Sequence, residues 1–263
     1  MVTSPPPPDE LDVAIDAARI GAAVVQKALG TAITAEFKSD ANPVTIVDQE
    51  AEAAIVEVIS RWRPMDSVLA EEGGGSGWDQ GRVWIIDPLD GTVNFIHAIP
   101  HISVSVALWI DGHAEVGVVL DVGRSEEFTA RRGDGAWLNQ TRLSVSTEAK
   151  LAASLVATGF PYDRNIHGRT YAAVLGEVLT RVQGIRRFGS AALDLAWVAC
   201  GRFEGYWESG IQPWDAAAGV LLVAEAGGTV TDLHSLPHRL DAPVIVASNG
   251  RIHNELLDAI ISE

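Results

Sequence analysis

The sequence predicts a mixed α/β protein, α+β in its first half and α/β in its second. Three observations carry this. Apolar residues recur at helical spacings of three and four from Asp9 to Leu29, and again after Thr45. Between Ile102 and Arg132 the pattern turns to strand-like alternation. After about Lys150 strands and helices alternate, as in α/β chains. No Gly-, Ser- or Pro-rich linker and no repeat divides the 263 residues. The expectation is a single domain over 9–263, with halves at about 9–149 and 150–263, preceded by a disordered leader over 1–8 that contains Pro5 to Pro8.

The elements follow in order. Leu11, Ile15, Ala18, Ala22 and Val25 form the stripe of a first helix, with Asp9 and Glu10 at its positive end and Gly30 at its stop. A loop with Asp40, Asn42 and Pro43 follows. Thr45 and Asp48 have capping-box spacing and open a second helix with Ala51, Ile55, Val58 and Trp62 on one face. Ser67–Ala70 and Val83–Ile86 read as short buried strands. Val104, Val106 and Leu108 alternate in a meander that turns at Asp111-Gly112. Strands near Leu155 and Ile185 then alternate with helices near Thr170–Leu179, Ala191–Cys200, Asp215–Ala226 and His253–Ile261.

Composition excludes whole classes. With 47% hydrophobic and 21% charged residues the chain can bury a core, so global disorder is ruled out. The net charge of −16 opposes binding to nucleic acid or anionic membrane, and neither is expected as a partner. No run approaches 18 uninterrupted apolar residues, and the N-terminus lacks the basic-then-apolar order of a secretory signal. The single cysteine, Cys200, rules out a disulfide within the chain. It lies in an apolar run and reads as core, which fits a reducing, cytoplasmic setting.

Three acidic clusters each stand at the end of an element. The most informative stretch runs from Trp84 to Phe95. A buried strand delivers Asp87, Pro88 forces a turn, and Asp90 returns three residues later. Gly91 permits close backbone approach, and Thr92 opens a helical segment whose free N–H groups favour phosphate. Glu71-Glu72 follows another strand and precedes the glycine-heavy stretch Gly73 to Gly77. Asp215 falls in the first turn of a helix behind Pro213-Trp214. Taken singly, these are a turn with solvated acids, a loop end and a dipole-complementing aspartate. Together they match two or three hard cations held by carboxylate oxygens, as Mg²⁺ prefers, in a site able to clamp both oxygens of a phosphoryl transfer.

Trp84–Phe95, and Trp214-Asp215 through Ala224-Glu225-Ala226-Gly227-Gly228, resemble the two motifs of the inositol monophosphatase family, within the Mg-dependent, lithium-sensitive phosphatase superfamily. Glu71-Glu72 matches the acidic pair before the first motif, and the similarity extends from about Asp9 to the C-terminus. Ala70, where a glycine is common, and Leu89, where an isoleucine is common, are small departures. The resemblance implies a layered α-β-α-β-α sandwich. It implies Mg²⁺-dependent hydrolysis of a small phosphate monoester by a metal-activated water, with no covalent enzyme intermediate. Glu71, Asp87, the Leu89 carbonyl, Asp90 and Asp215 would bind two or three Mg²⁺, with Asp87 bridging. Thr92 with Asp48 would orient and deprotonate the water, and Glu71 would serve catalysis as well as metal. Gly91 and Thr92 would offer N–H groups to the phosphate. Gly189, Ser190, Ala191, Glu208 and Asp215 would contact the substrate. Four ligand carboxylates and a phosphate monoester of about −2 charge balance three Mg²⁺.

The resemblance further implies a small phosphorylated polyol or sugar as substrate, with inositol-1-phosphate foremost. Histidinol phosphate, fructose 1,6-bisphosphate and nucleotide 3′-phosphates are alternatives within the family. A regulatory protein that retains the fold is the alternative from another class. A homodimer is expected, with the Val104–Asp121 region contributing. Competing motifs are weaker. Asp87 and Asp90 are separated by two residues, not the one of the Asp-x-Asp nucleophile loop. Pro100 and Pro237 interrupt the His97/His101 and His234/His238 pairs, which disfavours zinc. Arg131-Arg132 and Arg186-Arg187 read as surface or subunit contacts.

Overall fold

The computed structural model describes residues 7–31, 35–39, 42–75 and 77–261. Most of the expected leader, residues 1–6, lies outside them. Its last residue, Pro8, is tied to the fold, because Arg63 donates from Nη2 to the Pro8 carbonyl at 2.7 Å.

The first helix, α1 (Glu10–Ala28), starts one residue later than its stripe suggests, because Asp9 is its N-cap and accepts from the Asp12 N–H at 2.9 Å. Two strands pair antiparallel before the next helix, β1 (Ala35–Ser39) and β2 (Asn42–Thr45). The loop expected at Asn42 and Pro43 is therefore strand, while Asp40 lies outside the described residues. In a two-stranded ribbon every strand has a free edge, which tolerates a proline without an N–H. Helix α2 (Ile46–Trp62) opens on the expected Thr45–Asp48 capping box.

Seven strands form the larger sheet in sequence order: β3 (Ser67–Ala70), β4 (Arg82–Asp90), β5 (Ser103–Ile110), β6 (His113–Asp121), β7 (Glu126–Arg131), β8 (Gly135–Leu138) and β9 (Thr141–Arg142). Only β3 and β4 are parallel, and the meander continues past Arg132. Asp111 and Gly112 turn it with φ of 48° and 76°, the positive pair that matches strand twist in a tight hairpin. A five-helix set completes the chain: α3 (Thr92–Ile96), α4 (Arg164–Leu179), α5 (Ala191–Ala199), α6 (Pro213–Glu225) and α7 (His253–Ile261). The smaller sheet has the order β11 (Gly184–Arg186), β10 (Leu155–Thr158), β12 (Gly205–Ser209), β14 (Val244–Ser248) and β13 (Thr229–Thr231). Its β13 and β14 pair antiparallel, so the second half is mixed rather than purely parallel.

The alternation of the central strands decides the layers. On β4, Trp84 and Ile86 face α1 and α2, while Val83 and Ile85 face α5 and α6. Tyr206 and Ala247 of the smaller sheet cover the other side of α5 and α6, and Trp207 and Val246 turn outward to Val178 of α4 and Leu256 of α7. The result is the α-β-α-β-α sandwich. Most apolar side chains of β5 and β6 are buried in these intrachain cores. Within the Val104–Asp121 region Ile110 and Leu120 stay partly exposed. Cys200 caps the end of α5 half-buried, its thiol directed at the Trp197 carbonyl, rather than deep in the core. Among the described residues no helix is long and apolar enough to cross a membrane.

Helix α6 approaches the larger sheet closely where Gly117 of β6 faces Ala218. A Cβ at 117 would sit 3.0 Å from both the Cα and the carbonyl oxygen of Ala218. Neither backbone can yield without moving the layer. Gly117→Val should therefore lower stability by about 1–3 kcal/mol or more, read as a reduced urea midpoint at unchanged slope.

Candidate active site

Strand β4 supplies two of the acids by breaking its own regularity. Asp87 pairs with Ser105 and Asp90 with Ser103, so three steps on β4 match two on β5. In a regular strand residues three apart point to opposite faces. The extra residue of the bulge restores parity and turns both carboxylates toward the α5–α6 layer. Leu89, inside the bulge, buries its side chain against the α1–α2 core. Its N–H is held by Asp87 Oδ1 at 3.0 Å.

The chain then reverses at Gly91, in the left-handed conformation (φ 94°). A Cβ there would meet the carbonyl oxygens of His101 and Gly189 at 3.0 and 3.2 Å. Glycine is required on both counts. Helix α3 starts next. Thr92 Oγ1 lies 3.1 Å from Asp48 Oδ1 and 3.1 Å from the Leu89 carbonyl, so its single hydrogen serves one acceptor at a time. Asp48 is itself held by the Thr45 N–H at 2.8 Å and by the Thr45 hydroxyl.

Two more helix starts aim at the same place. Asp90 Oδ2 accepts from the Ser190 hydroxyl at 2.6 Å and from the Ala192 N–H at 2.8 Å, at the first turn of α5. Asp215, in the first turn of α6, accepts from the Gln212 N–H at 2.9 Å. Both helix starts favour negative charge. Glu71 follows β3 at the rim. The Gly73 to Gly77 stretch beside it is less loose than its glycines suggest, because Ala70 and Gly74 exchange backbone hydrogen bonds at 2.9 and 3.0 Å. Ser76 lies outside the described residues.

These groups line one cavity of about 860 Å³ between the halves. Glu71, Asp87, Leu89, Asp90, Gly91, Thr92, Gly189, Ser190, Ala191, Glu208 and Asp215, all singled out in the sequence, are in its wall. Asp48 is not. It stands behind Thr92 and reaches the cavity only through that hydroxyl. Ser190 lines the cavity but spends its hydroxyl on Asp90.

Electrostatics set the character of the site. Burial, then repulsion by Glu71, Asp90 and Asp215, holds Asp87 far above the usual carboxylate range. Asp215 is raised likewise by burial and by Asp90 and Glu71. Asp90 is raised less, since the Ser190 and Ala192 hydrogen bonds oppose its burial. Burial raises Asp48 against its Thr45 hydrogen bonds. Such a set of hard oxygen donors, repelling one another in a low dielectric, fits Mg²⁺ and no soft-ligand metal. Among the described residues no three acidic, His or Cys side chains are drawn tightly enough to cage an ion by themselves. Mg²⁺ needs no such cage, since it keeps waters and completes its shell with substrate phosphate.

Several contributors escaped sequence reasoning. Ser103 lies 3.4 Å from Asp90 and 3.1 Å from Ser190. Asn94 ties α3 to the loop before α5 by donating to the His101 and Phe188 carbonyls at 2.8 Å each. Arg187, expected on the surface or in a subunit contact, lines the cavity, as does Asp194. Asn94 lies within the Trp84–Phe95 motif, although no role is assigned to it there from sequence; nothing in the local sequence distinguishes the others, which strand pairing and helix direction bring here.

Glu208, on β12, accepts from the Tyr206 hydroxyl, and its carboxyl occupies the space a Cβ at Gly159 would need. Burial pushes it up to about 7. An acid raised on folding binds more protons in the native state, so its stability contribution falls as pH climbs from the unfolded value of 4.5 through about 7. Glu208→Gln lacks this dependence. In metal-free buffer its urea midpoint should gain on wild type between pH 5 and pH 8. A constant difference between the two proteins would show that Glu208 titrates normally.

Comparison with known proteins places this geometry. The sequence matches the inositol monophosphatase family over residues 8–263. The protein named Nus factor SuhB of Escherichia coli K12 is 44% identical over 250 residues, covering 94% of each chain. The solved inositol monophosphatase of Anabaena is 43% identical, with a TM-score of 0.87 over 96% of this chain and 95% of its own. The extragenic suppressor protein suhB of Bartonella henselae is 40% identical, with a TM-score of 0.90 over 95% and 97%. With two motifs, the layered sandwich and the acid-lined cavity all in agreement, the chain belongs to the inositol monophosphatase family.

Proposed function

We propose that this protein is a Mg²⁺-dependent phosphomonoesterase acting on a small phosphorylated polyol or sugar, foremost inositol-1-phosphate. The carrying observation is the convergence of Glu71, Asp87, Asp90 and Asp215 on one cavity with the Thr92–Asp48 pair. Glu71, Asp87, the Leu89 carbonyl, Asp90 and Asp215 would hold two or three Mg²⁺. Bound there, the ions neutralise phosphate charge and ease deprotonation of water.

The chain's own residues supply the rest. Thr92 donates to Asp48 and keeps its lone pairs free for an attacking water. The Leu89 carbonyl, the other acceptor within reach of the Thr92 hydroxyl, would be occupied where it holds a cation, which would leave Asp48 as the acceptor. The water proton can then pass through Thr92 to Asp48, whose carboxyl is already raised toward the range of a useful base. The water oxygen bonds to phosphorus, the phosphorus–alcohol oxygen bond breaks, and the leaving alcohol takes a proton from solvent. Glu71, at the rim, would serve the water as well as the metal. The N–H groups of Gly91 and Thr92 at the α3 start orient the phosphate. Gly189, Ser190, Ala191, Glu208 and Asp215 face the alcohol part.

A second reading rests on the relatives named Nus factor, at 42–45% identity. It is a regulatory role alongside the retained fold. Those names leave the exclusion of nucleic acid by net charge without support, and it is not part of the proposal. A cytoplasmic location, a homodimer and one domain over 9–263 complete the reading. A monomer mass in light scattering at working concentration would reject the dimer.

Activity on phosphate monoesters should vanish with EDTA and return with Mg²⁺, and full activity without metal would sink the site assignment. Asp90→Asn should lower kcat by about 10²–10³, or ~2.7–4 kcal/mol, at saturating Mg²⁺. Acid quench should trap no phosphorylated Asp90.

A further inference from the structure

The alcohol end of the cavity holds a group the proposed reaction does not use. Asp194 lies on α5, one turn beyond Ser190, and only 1% of its surface is exposed. Its Oδ1 is buried with no hydrogen-bond partner among the described residues. Yet the residue lines the same cavity as Glu208 and Arg187. Both acids feel the Arg187 guanidinium, and Asp194 also feels the Glu208 carboxylate. Arg187 folds over Gly189, its Nη1 2.4 Å from where a Cβ would stand, and forms no ion pair among the described residues.

A buried carboxyl without a donor is costly, and native proteins rarely keep one without use. Helix α5 does not need it, since Ser190 already caps the helix and Ala192 already serves Asp90. A donor from outside the chain would satisfy it. An Asp carboxyl turns readily about its last torsion, so either oxygen can face the cavity. The neighbours decide which donor fits. A ligand ammonium would suit two acids but would face the Arg187 guanidinium. A hydroxyl both donates and accepts, so neighbouring hydroxyls can bond the acids and the guanidinium together.

We propose that Asp194 is a specificity-determining residue that accepts a hydrogen bond from a substrate hydroxyl, forming with Glu208 and Arg187 a reader of neighbouring hydroxyls on the alcohol part. The proposal rests on the phosphomonoesterase reading of this cavity. It selects alcohols with at least two free hydroxyls beside the phosphate-bearing carbon.

The test compares inositol-1-phosphate with cyclohexyl phosphate, which keeps the ring and lacks the hydroxyls, in wild type and Asp194→Leu with Mg²⁺. The ratio of kcat/KM for the two substrates should fall about 10–100-fold in the variant, chiefly through KM of the inositol ester. Asp194→Asn should recover part of the ratio. The metal-free Tm of Asp194→Leu should equal or exceed that of wild type, because an unsatisfied buried acid has gone. Equal losses on both substrates with a lowered Tm would make Asp194 structural. An unchanged ratio would mean that a buried water satisfies it. A selective loss on an amino-alcohol phosphate would assign it to an ammonium. Each of these overturns the proposal while leaving the phosphatase reading intact. Failure of wild type to hydrolyse either ester would overturn both. Should Asp194→Leu not fold, Asp194→Ala is read by the same ratio.

Discussion

A one-residue bulge at the end of β4 is the constraint on which the site depends. Without it Asp87 and Asp90 would face opposite layers, one toward α1 and α2 and the other toward α5 and α6. The bulge places both on the α5–α6 side and leaves Leu89 as a core residue whose backbone, not its side chain, faces the cavity. Asp90 then docks on the first turn of α5, where Ser190 and Ala192 wait for it. The bulge thus couples the larger sheet to the middle helical layer. The gap between the sheets becomes an acid-lined cavity rather than a closed core.

That arrangement concentrates like charge where the dielectric is low. Burial and mutual repulsion raise Asp87 and Asp215 together. The helix starts of α5 and α6 offset part of this, and cations would offset the rest. The fold tolerates the cost because three extensive apolar clusters surround the acids. Strain of this kind, a cluster destabilised on its own and satisfied by its ligands, is what pre-organised sites have in common.

The two ends of the cavity differ in character. At one end Glu71, Asp87, Asp90 and Asp215 surround the left-handed backbone turn at Gly91. At the other end Glu208, Asp194 and Arg187 mix signs, with Tyr206 behind Glu208. Mixed signs suit an uncharged, hydroxyl-rich group, whereas the uniform acidity of the first end suits cations and phosphate. The relatives include proteins named inositol monophosphatase and proteins named Nus factor. Proteins of one fold thus carry names from two classes.

Local sequence determined what depends on local physics. Both capped helix starts, the Asp111-Gly112 hairpin and the alternation of Val104, Val106 and Leu108 were legible, because caps, turns and periodicity act within a few residues. The metal-type acids were legible too, since each sits at the end of a recognisable element beside Gly or Pro. Short edge strands were not legible. β1, β2 and β13 exist through pairing with distant partners more than through their own pattern. Nor were Ser103, Arg187 and Asp194, which are ordinary residues in ordinary positions until strand order and helix direction bring them to the cavity or to the acids that line it. The same holds for the Val104–Asp121 region, whose apolar alternation is equally consistent with an interface or a core. Only the packing of helices on both faces of the larger sheet assigned it to the core, because a strand's two-residue period marks a face for burial without specifying what will bury it.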